Sequence, residues 1–524
     1  IPARTYRRGG LTTSLRISFT RCPWFPSLKP NQNSIRFRIM PSSPPTAVTG
    51  VVACAAYLPH HRLRLTEIGS VLGGAQPAGS RSVASYDEDT TSMAVEAARP
   101  VLRALPVAST PSRIYFATTD PAYLDKSNAA VIHAALGLPR NTLAVDLGGA
   151  PRSAVGAFLA AADCPDGALA VVADIRSGLP GSADEKQGGD AAAAVLFGPG
   201  TAEAPVLAEL ITSASVTDEI LDRWRSPGAR ASRVWEERFG EHVYVPLAME
   251  SFSAALKQAD LAPAQVDHLI VCGLSSRANR QFAVASGVAR EALAADLTSV
   301  IGNPGTAQPG VLLADVLERA EPSQVIALAM LADGASTLIL RTTEALAAHR
   351  PSAPTVADQI AATDDSLGYG TFLTWRGMLR REPPRRPEPD APAGPPSHRS
   401  ENWKYGFVGS RCERCGTVNL PPARICFKCG SDEPMAPQPM ADTPARVATF
   451  TVDRLAYTPS PPMIAAVIDF EGGGRFRCEL TDTSPDVAIG DQVEMTFRRL
   501  TTSESGVHNY FWKARPARRK TKES

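Results

Sequence analysis

The sequence predicts a layered α/β body made of two similar halves, followed by a metal-binding ribbon and a small all-β module. Three observations carry this reading. Between residues 47 and 345, short apolar runs alternate with helical patterns. Cys412, Cys415, Cys426 and Cys429 form a C-x2-C-x10-C-x2-C array. Beyond the last of these cysteines, most of the apolar runs alternate with a period of two, as strands do.

Composition bounds the rest. A chain of 524 residues has room for several hydrophobic cores. The first 40 residues hold eight Lys/Arg and no Asp or Glu; removing those eight cations from a formal net charge of +1 leaves −7 for residues 41–524. A mildly acidic body gives no electrostatic reason to bind nucleic acid. The longest apolar runs, Val51–Leu58 and Val325–Ala332, are far too short to cross a membrane. Cysteines are too sparse for a disulfide scaffold, and the expected location is cytoplasmic. Residues 1–45, Arg- and Ser-rich and free of acids, read either as an organelle transit peptide or as sequence ahead of a start at Met40. The second reading is preferred, and the segment is set apart from the fold as a disordered leader or a non-native upstream piece.

In the first half, 46–200, Ile114–Thr118 reads as a strand and Lys126–Leu136 as a helix with small apolar residues at i, i+3 and i+4. Leu143–Leu147 is a strand, Arg152–Ala162 a helix, and Ala168–Val172 and Ala191–Phe197 are strands. The second half, 201–345, repeats the rhythm with a strand at His268–Cys272, a helix at Gly310–Leu317, a strand or buried helix at Val325–Leu331 and a strand at Ser336–Leu340. Residues 346–402 are expected to be a linker, because seven prolines crowd Pro383–Pro396 and exclude helix and interior strand. The ribbon is placed at 403–438 and the all-β module at 439–516, with strands at Arg446–Val452, Met463–Phe470, Arg475–Leu480 and Gln492–Arg498, a Gly472-Gly473-Gly474 hairpin, and a basic tail at 517–524.

Each C-x2-C turn presents two thiolates, and two such turns close a tetrahedral site with no position left for water. The metal is therefore structural; zinc is expected, and iron also fits such a set. Cys54, Cys164, Cys272 and Cys478 are isolated and read as small buried hydrophobes.

Several runs of the body resemble hydroxymethylglutaryl-CoA synthase and β-ketoacyl-ACP synthase III. Tyr86–Ala98 (YDEDTTSMAVEAA) resembles the start of a helix in those enzymes, with Asp87, Glu88 and Asp89 at the positive end of its dipole. Asp125–Ala129 (DKSNA), Val145–Phe158 (VDLGGAPRSAVGAF), Ser299–Pro309 (SVIGNPGTAQP) and Ala332–Ser336 (ADGAS) resemble later motifs in the same order. The resemblance implies a duplicated thiolase-like fold in α-β-α-β-α layers, a homodimer, and a CoA thioester as ligand. It also implies that the chemistry is altered. Pro151 stands at the position of the family's nucleophilic Cys, and proline has neither a nucleophile nor an N–H for an oxyanion. Ser276 and Tyr244 stand at two His positions, in Ser276-Arg277-Ala278-Asn279 and Tyr244-Val245-Pro246-Leu247. Asp120 is the candidate acid where the family has Glu, and Asn303 remains beside Gly302. Catalytic candidates are thus Asp120, Tyr244 and Asn303; candidates for substrate binding are Arg152, Arg277, Arg280 and Gly302. Ser153 has no His placed to activate it, His133 reads as core or interface, and His242, two residues before Tyr244, is a minor candidate to swing into the site.

The C-terminal run, CERCGTVNLPPARICFKCG followed by ATFTVDRL and IGDQVEMTFRR, resembles the acyl-CoA-associated OB-fold family with its rubredoxin-like ribbon. That resemblance implies work beside thiolase-fold subunits. Fusion keeps the module at high local concentration. The favoured function is an acyl-CoA-handling subunit, its own Cys lost, in a hetero-complex with a catalytic thiolase. One alternative is an active acyltransferase or C–C bond-forming or cleaving enzyme that needs no Cys. Another is a nucleic-acid-binding ribbon and OB protein using Phe511-Trp512-Lys513-Ala514-Arg515, which the charge of the body disfavours.

Overall fold

The computed structural model describes residues 48–518, apart from 75–76, 107–109, 385–389 and 484–485. The leader at 1–45 and most of the basic tail lie outside the described residues. Among the described residues, the main sheet of the body has nine strands: β1 (Gly50–Tyr57), β2 (Arg113–Thr118), β3 (Leu143–Gly148), β4 (Ala168–Ile175), β5 (Asp190–Gly198), β6 (Ala208–Thr217), β7 (His268–Gly273), β8 (Val325–Leu331) and β9 (Gly334–Thr342). They are hydrogen-bonded in the order β7-β8-β9-β6-β1-β5-β4-β2-β3. β1 and β6 meet over only two pairs, Gly50–Glu209 and Val51–Ala208, so the sheet is two sheets joined at a short seam.

Each half repeats one topology. The first strand lies at the seam and pairs antiparallel with the last (β1 with β5, β6 with β9). The penultimate strand follows antiparallel, and the second strand runs parallel to it. The third strand closes the first half as β3; in the second half it shrinks to a single parallel bridge, Leu269–Leu293.

Helices α1 (Thr90–Arg103), α2 (Ala129–Ala135), α3 (Ser153–Ala162), α4 (Glu237–Gln258), α5 (Ser276–Ala285) and α6 (Gln308–Leu317) complete five layers. α1 and α2 share a core with one face of the first sheet. The small apolar faces of α3 and α6 fill the central layer through Ala154, Phe158, Val311 and Leu313. α4 and α5 cover the second sheet through Phe252 and Phe282, whose rings meet edge to face at 5.7 Å. Val325–Leu331 is a strand buried along its whole length. α4 carries Pro246 in its interior, where proline ordinarily ends a helix, which hides this element from pattern reading.

Two expectations are corrected between body and ribbon. Residues 346–378 are not a linker. They form a folded strap with helices at Val356–Ala361 and Tyr369–Trp375. Buried Gln359 donates to the Ala56 carbonyl at 3.0 Å and accepts from Leu58 N–H at 2.8 Å. Tyr369 and Phe372 pack on Leu63, Ile68 and Val83. The Pro tract also ends in a helix, Gly394–Arg399, with its prolines in the first turn, where the missing N–H has no intrahelical partner to lose.

The ribbon strands are Val408–Cys412, Val418–Asn419 and Met435–Pro439. The all-β module is a closed barrel of β10 (Ala445–Asp453), β11 (Met463–Phe470), β12 (Arg475–Leu480), β13 (Gln492–Thr502) and β14 (His508–Pro516). It is docked on α1 by buried charge. Only Asp89 caps the helix, accepting from Ser92 N–H. Arg498 of β13, fully buried, pairs with Glu88 at 2.8 Å, Asp482 at 2.5 Å and Asp87 at 3.3 Å. Lys513 reaches Asp87 at 2.9 Å, and Arg515 reaches Glu96 at 2.9 Å. Tyr510 donates to Asp89 at 2.6 Å. Burial pushes the Glu88 carboxyl up against the pull of Arg498, whereas Lys513 and Arg498 outweigh burial and hold Asp87 low.

Removing Arg498 leaves three carboxylates buried without their shared cation. Arg498→Ala is expected to cost about 3–5 kcal/mol and to lower the thermal midpoint, read by calorimetry, by about 3–5 °C. An unchanged midpoint would show that Arg498 is dispensable and that the barrel is held by its other contacts with the body.

Candidate functional site

A cleft of about 840 Å³ opens where the ends of β2 and β3 face the second half. Its walls are the loop after β2 (Thr118–Tyr123), the corner from Gly148 to Pro151, the stretch Asp222–Ala229, Tyr244 of α4, Ser275, and Leu331–Asp333 at the turn between β8 and β9. Asp120, Pro151 and Tyr244 therefore line one cleft.

The corner is built for a helix start. β3 ends at Gly148, and Gly149 turns the chain at φ +105°, a conformation that favours glycine. The first turn of α3 then closes through Ser153 N–H to the Ala150 carbonyl at 3.0 Å and Ala154 N–H to the Pro151 carbonyl at 3.2 Å. Pro151 fits here because no intrahelical bond asks for its N–H. The Ser153 hydroxyl donates back to the Gly148 carbonyl at 3.1 Å. Among the described residues, no cysteine lines the cleft; burial pushes the Cys54 and Cys272 thiols up, away from thiolate character.

One carboxylate organises the loops behind the cleft. Buried Asp174, at the end of β4, accepts from Thr119 N–H at 2.9 Å, the Thr119 hydroxyl at 2.7 Å, and Thr306 N–H and hydroxyl at 3.0 Å. This ties the loop after β2 to the Asn303 loop. Arg225 donates to the Thr119 carbonyl and lies 3.6 Å from the Asp120 carboxylate. Burial raises Asp120 to about 6 against the opposing pull of Arg225. Tyr244 donates to Asp222 at 3.2 Å, and burial pushes up both that phenol and the carboxyls of Asp222 and Asp333. Lys126 stands exposed at the rim.

Other expected residues lie elsewhere. Arg152 is not a substrate contact: its guanidinium donates to the carbonyls of Asp333 and Val216 and to the Ser336 hydroxyl, clamping α3 to the second half. Asn303 spends its amide on the Gly273 carbonyl at 2.8 Å and accepts from Gly305 N–H at 2.9 Å, so it braces a loop. Gly302, at φ +73°, faces the Gly188 carbonyl where a Cβ would lie 2.2 Å away; it serves packing, not a ligand. Ser276, Arg277 and Arg280 are exposed on α5, and it is Ser275 that reaches the cleft. His133 donates to the Pro139 carbonyl at 2.9 Å, and His242 is exposed outside the lining. The reading missed Asp222, Arg225, Asp333 and the hub Asp174. Asp222-Arg223-Trp224-Arg225 carried a signal, arginines flanking a tryptophan in an aperiodic stretch.

The four ribbon cysteines converge. Cys412 and Cys429 sulfurs are 3.7 Å apart and Cys415 and Cys426 sulfurs 3.6 Å. Tetrahedral zinc with bonds of about 2.3 Å spaces its sulfurs at about 3.8 Å. Each turn is closed alike, by Gly416 N–H on the Cys412 carbonyl and Gly430 N–H on the Cys426 carbonyl. The donor set fits a metal that cross-links the two turns.

Comparison with known proteins agrees with this architecture. Residues 404–434 match the family model of the ChsH2 rubredoxin-like zinc ribbon domain, and residues 438–498 that of the ChsH2 C-terminal OB-fold domain. The body is similar to hydroxymethylglutaryl-CoA synthases. It is 25% identical over 348 residues to that of Methanocella arvoryzae, covering 64% of this chain and 99% of the relative. It is 28% identical over 351 residues to that of Aeropyrum pernix, covering 64% and 96%. Among solved structures, MvaS in complex with 3-hydroxy-3-methylglutaryl coenzyme A aligns at TM-score 0.54 and 19% identity, over 66% of this chain and 94% of that one. 3-Oxoacyl-(acyl carrier protein) synthase III, FabH, from Pseudomonas aeruginosa PAO1 aligns at TM-score 0.50 and 18% identity, over 56% and 98%. The fold is thiolase-like, carrying a ChsH2-type ribbon and OB barrel. Among the described residues, no helix is long and apolar enough to cross a membrane.

Two outcomes are expected. Protonation of Asp120 below about pH 6 frees Arg225 from its counter-charge. Affinity of the cleft for an anionic probe such as inorganic pyrophosphate, measured by calorimetry, should therefore rise about three- to tenfold from pH 7.5 to 5, and Asp120→Asn should flatten that dependence at the higher affinity. Stripping the ribbon metal with a chelator, or Cys412→Ser, should abolish ribbon order, read as collapse of its amide dispersion by NMR, while body signals persist.

Proposed function

We propose that this chain is an acyl-CoA-handling subunit that holds a CoA thioester in the cleft between the two halves without taking the acyl group covalently, and that works with a separate, Cys-bearing thiolase. The observation that carries this reading is Pro151 at the cleft corner, with no cysteine or activated serine beside it. A thiolase-fold acyl transfer begins with a thiolate at a helix start; a proline there keeps the helix and leaves no sulfur to acylate. The cleft is large enough for a thioester arm, and Lys126 and Arg225 offer positive charge to CoA phosphates. The similar MvaS structure is a complex with 3-hydroxy-3-methylglutaryl coenzyme A, which supports a CoA ligand here. Zinc is the metal assigned to the ribbon, in a purely structural role. A homodimer would pair the open edge of β3 with its copy. Lys513 and Arg515 are buried in ion pairs with the body, so the run that would have served a nucleic-acid surface is occupied.

Intact-mass analysis after incubation with acetyl-CoA should find no adduct on the wild-type chain, while calorimetry finds CoA binding. Pro151→Cys should acquire one acetyl group per chain. A stoichiometric adduct on the wild-type chain would overturn the reading. Affinity purification of the full chain should retain a thiolase-fold partner.

A second reading keeps the cleft catalytic. Asp120, raised to about 6, and the Tyr244–Asp222 pair line one cavity and form an acid–base set for C–C bond chemistry without a covalent intermediate. Turnover by the isolated chain that is lost in both Asp120→Asn and Tyr244→Phe would favour it; an isolated chain that binds but does not turn over favours the first.

A further inference from the structure

A small polar cluster lies where strap, body and barrel meet, apart from both the cleft and the ribbon. One donor atom each of His60, His61 and Asp364 lies within 4.8 Å of the others. The main chain fixes this convergence. Asp364 N–H donates to the His60 carbonyl at 2.8 Å, and Arg62 N–H donates to the Asp364 carbonyl at 2.8 Å. The resulting parallel bridge places Asp364 beside His61. The chain bends at His60, which brings the two imidazole centroids to 4.9 Å, and Trp375 of the strap packs edge-on against His61 at 5.0 Å.

The side chains, by contrast, are not satisfied. His61 Nδ1 is shielded from solvent and faces the Asp364 carboxylate at 3.5 Å, a loose ion-pair distance too long for a good hydrogen bond. Across a cavity of about 100 Å³ that His61 helps line, the barrel supplies Asp482, whose side chain is 3% exposed. One oxygen of Asp482 is taken by Arg498; the other is buried without a partner. Asp482 is held at φ +52°, in the left-handed region, an uncommon conformation for a residue other than glycine. A buried carboxylate oxygen without a partner and a loosely paired imidazole, both from residues lining one small cavity, ask for a bound group.

We propose that His60, His61 and Asp364 form a second metal site, which takes a divalent transition ion of the zinc type. Two imidazoles and one carboxylate are the donors such ions select, whereas calcium and magnesium prefer oxygen alone. Bonds of about 2.0–2.1 Å set neighbouring donors about 3.3 Å apart, so from spacings of up to 4.8 Å the three atoms need draw in by about 1.5 Å at most. A water in the fourth position would donate to the orphaned Asp482 oxygen, an outer-shell partner of the kind that fixes metal sites. The ion would bind the strap, through Asp364, to the start of the body, through His60 and His61, beneath the barrel.

The site is separable from the ribbon by chemistry. The full chain, stripped with a chelator and reloaded with Zn2+, should hold two ions per chain by elemental mass spectrometry after gel filtration. His61→Gln and Asp364→Asn should each hold one, and Cys412→Ser should lose the other. With Co2+, the ribbon alone should show the near-ultraviolet thiolate charge-transfer band; a second equivalent should add visible bands without increasing it, and His61→Gln should remove only those. The wild-type titration requires no variant to fold, and circular dichroism together with the retained thiolate band reports the folding of His61→Gln. One zinc per wild-type chain at saturation, or two in both His61→Gln and Asp364→Asn, overturns the proposal.

Discussion

The architecture depends on one buried guanidinium. Arg498, with no exposed surface, sits among Asp87, Glu88 and Asp482, two acids from the body and one from the barrel. Desolvating such a group is costly, and only close, multiple pairing offsets that cost. Each partner is in turn tied in: the Tyr57 hydroxyl donates to Glu88 at 2.5 Å, and Lys513 and Thr481 both reach Asp87. The barrel is thus part of the body, and α1 is enclosed on one side by the first sheet and on the other by β13. Every residue of α1 from Thr90 to Val101 is buried, including the charged Glu96 and Arg99.

That enclosure separates two tasks. Charge pairing on the outer side of the first sheet positions the barrel. On the other side of that sheet, the cleft is framed by short-range devices: the Gly149 turn, the Pro151 helix start, and the Asp174 hub that gathers Thr119 and Thr306. Arg152, whose neighbour occupies the corner, spends its charge on carbonyls of the second half. The cleft geometry therefore relies on the joining of the halves, and the metal ribbon contributes no lining residue to it.

What could be read from the sequence follows the range of each interaction. The body strands and central helices were legible because burial imposes a local period. The ribbon was legible because four donors must recur at fixed spacing. The corner was legible through the resemblance of Val145–Phe158 to a known strand–elbow–helix motif, which set Pro151 at its turn. Contacts made across hundreds of residues left no such trace. Asp87 and Glu88 read as dipole partners of α1, whereas the structure gives the cap to Asp89 and the other two to cations of the barrel. The strap was hidden because its helices are only six and seven residues long and their apolar faces are completed by Leu63 and Val83. In the cleft, Pro151, Tyr244 and Asp120 were found by motif, while Asp222, Arg225 and Asp333 come from irregular segments whose positions only the tertiary fold defines.

The Asp87–Arg498 pair spans 411 positions of chain. During synthesis, α1 emerges with its acidic start unneutralised and one flank uncovered, and both stay so until the barrel, 411 positions on, has left the ribosome. Folding is therefore completed late and from the carboxyl end. A truncation that removed only the barrel would leave the body with an uncovered apolar surface beside carboxylates that have lost their counter-ions, making it prone to aggregate.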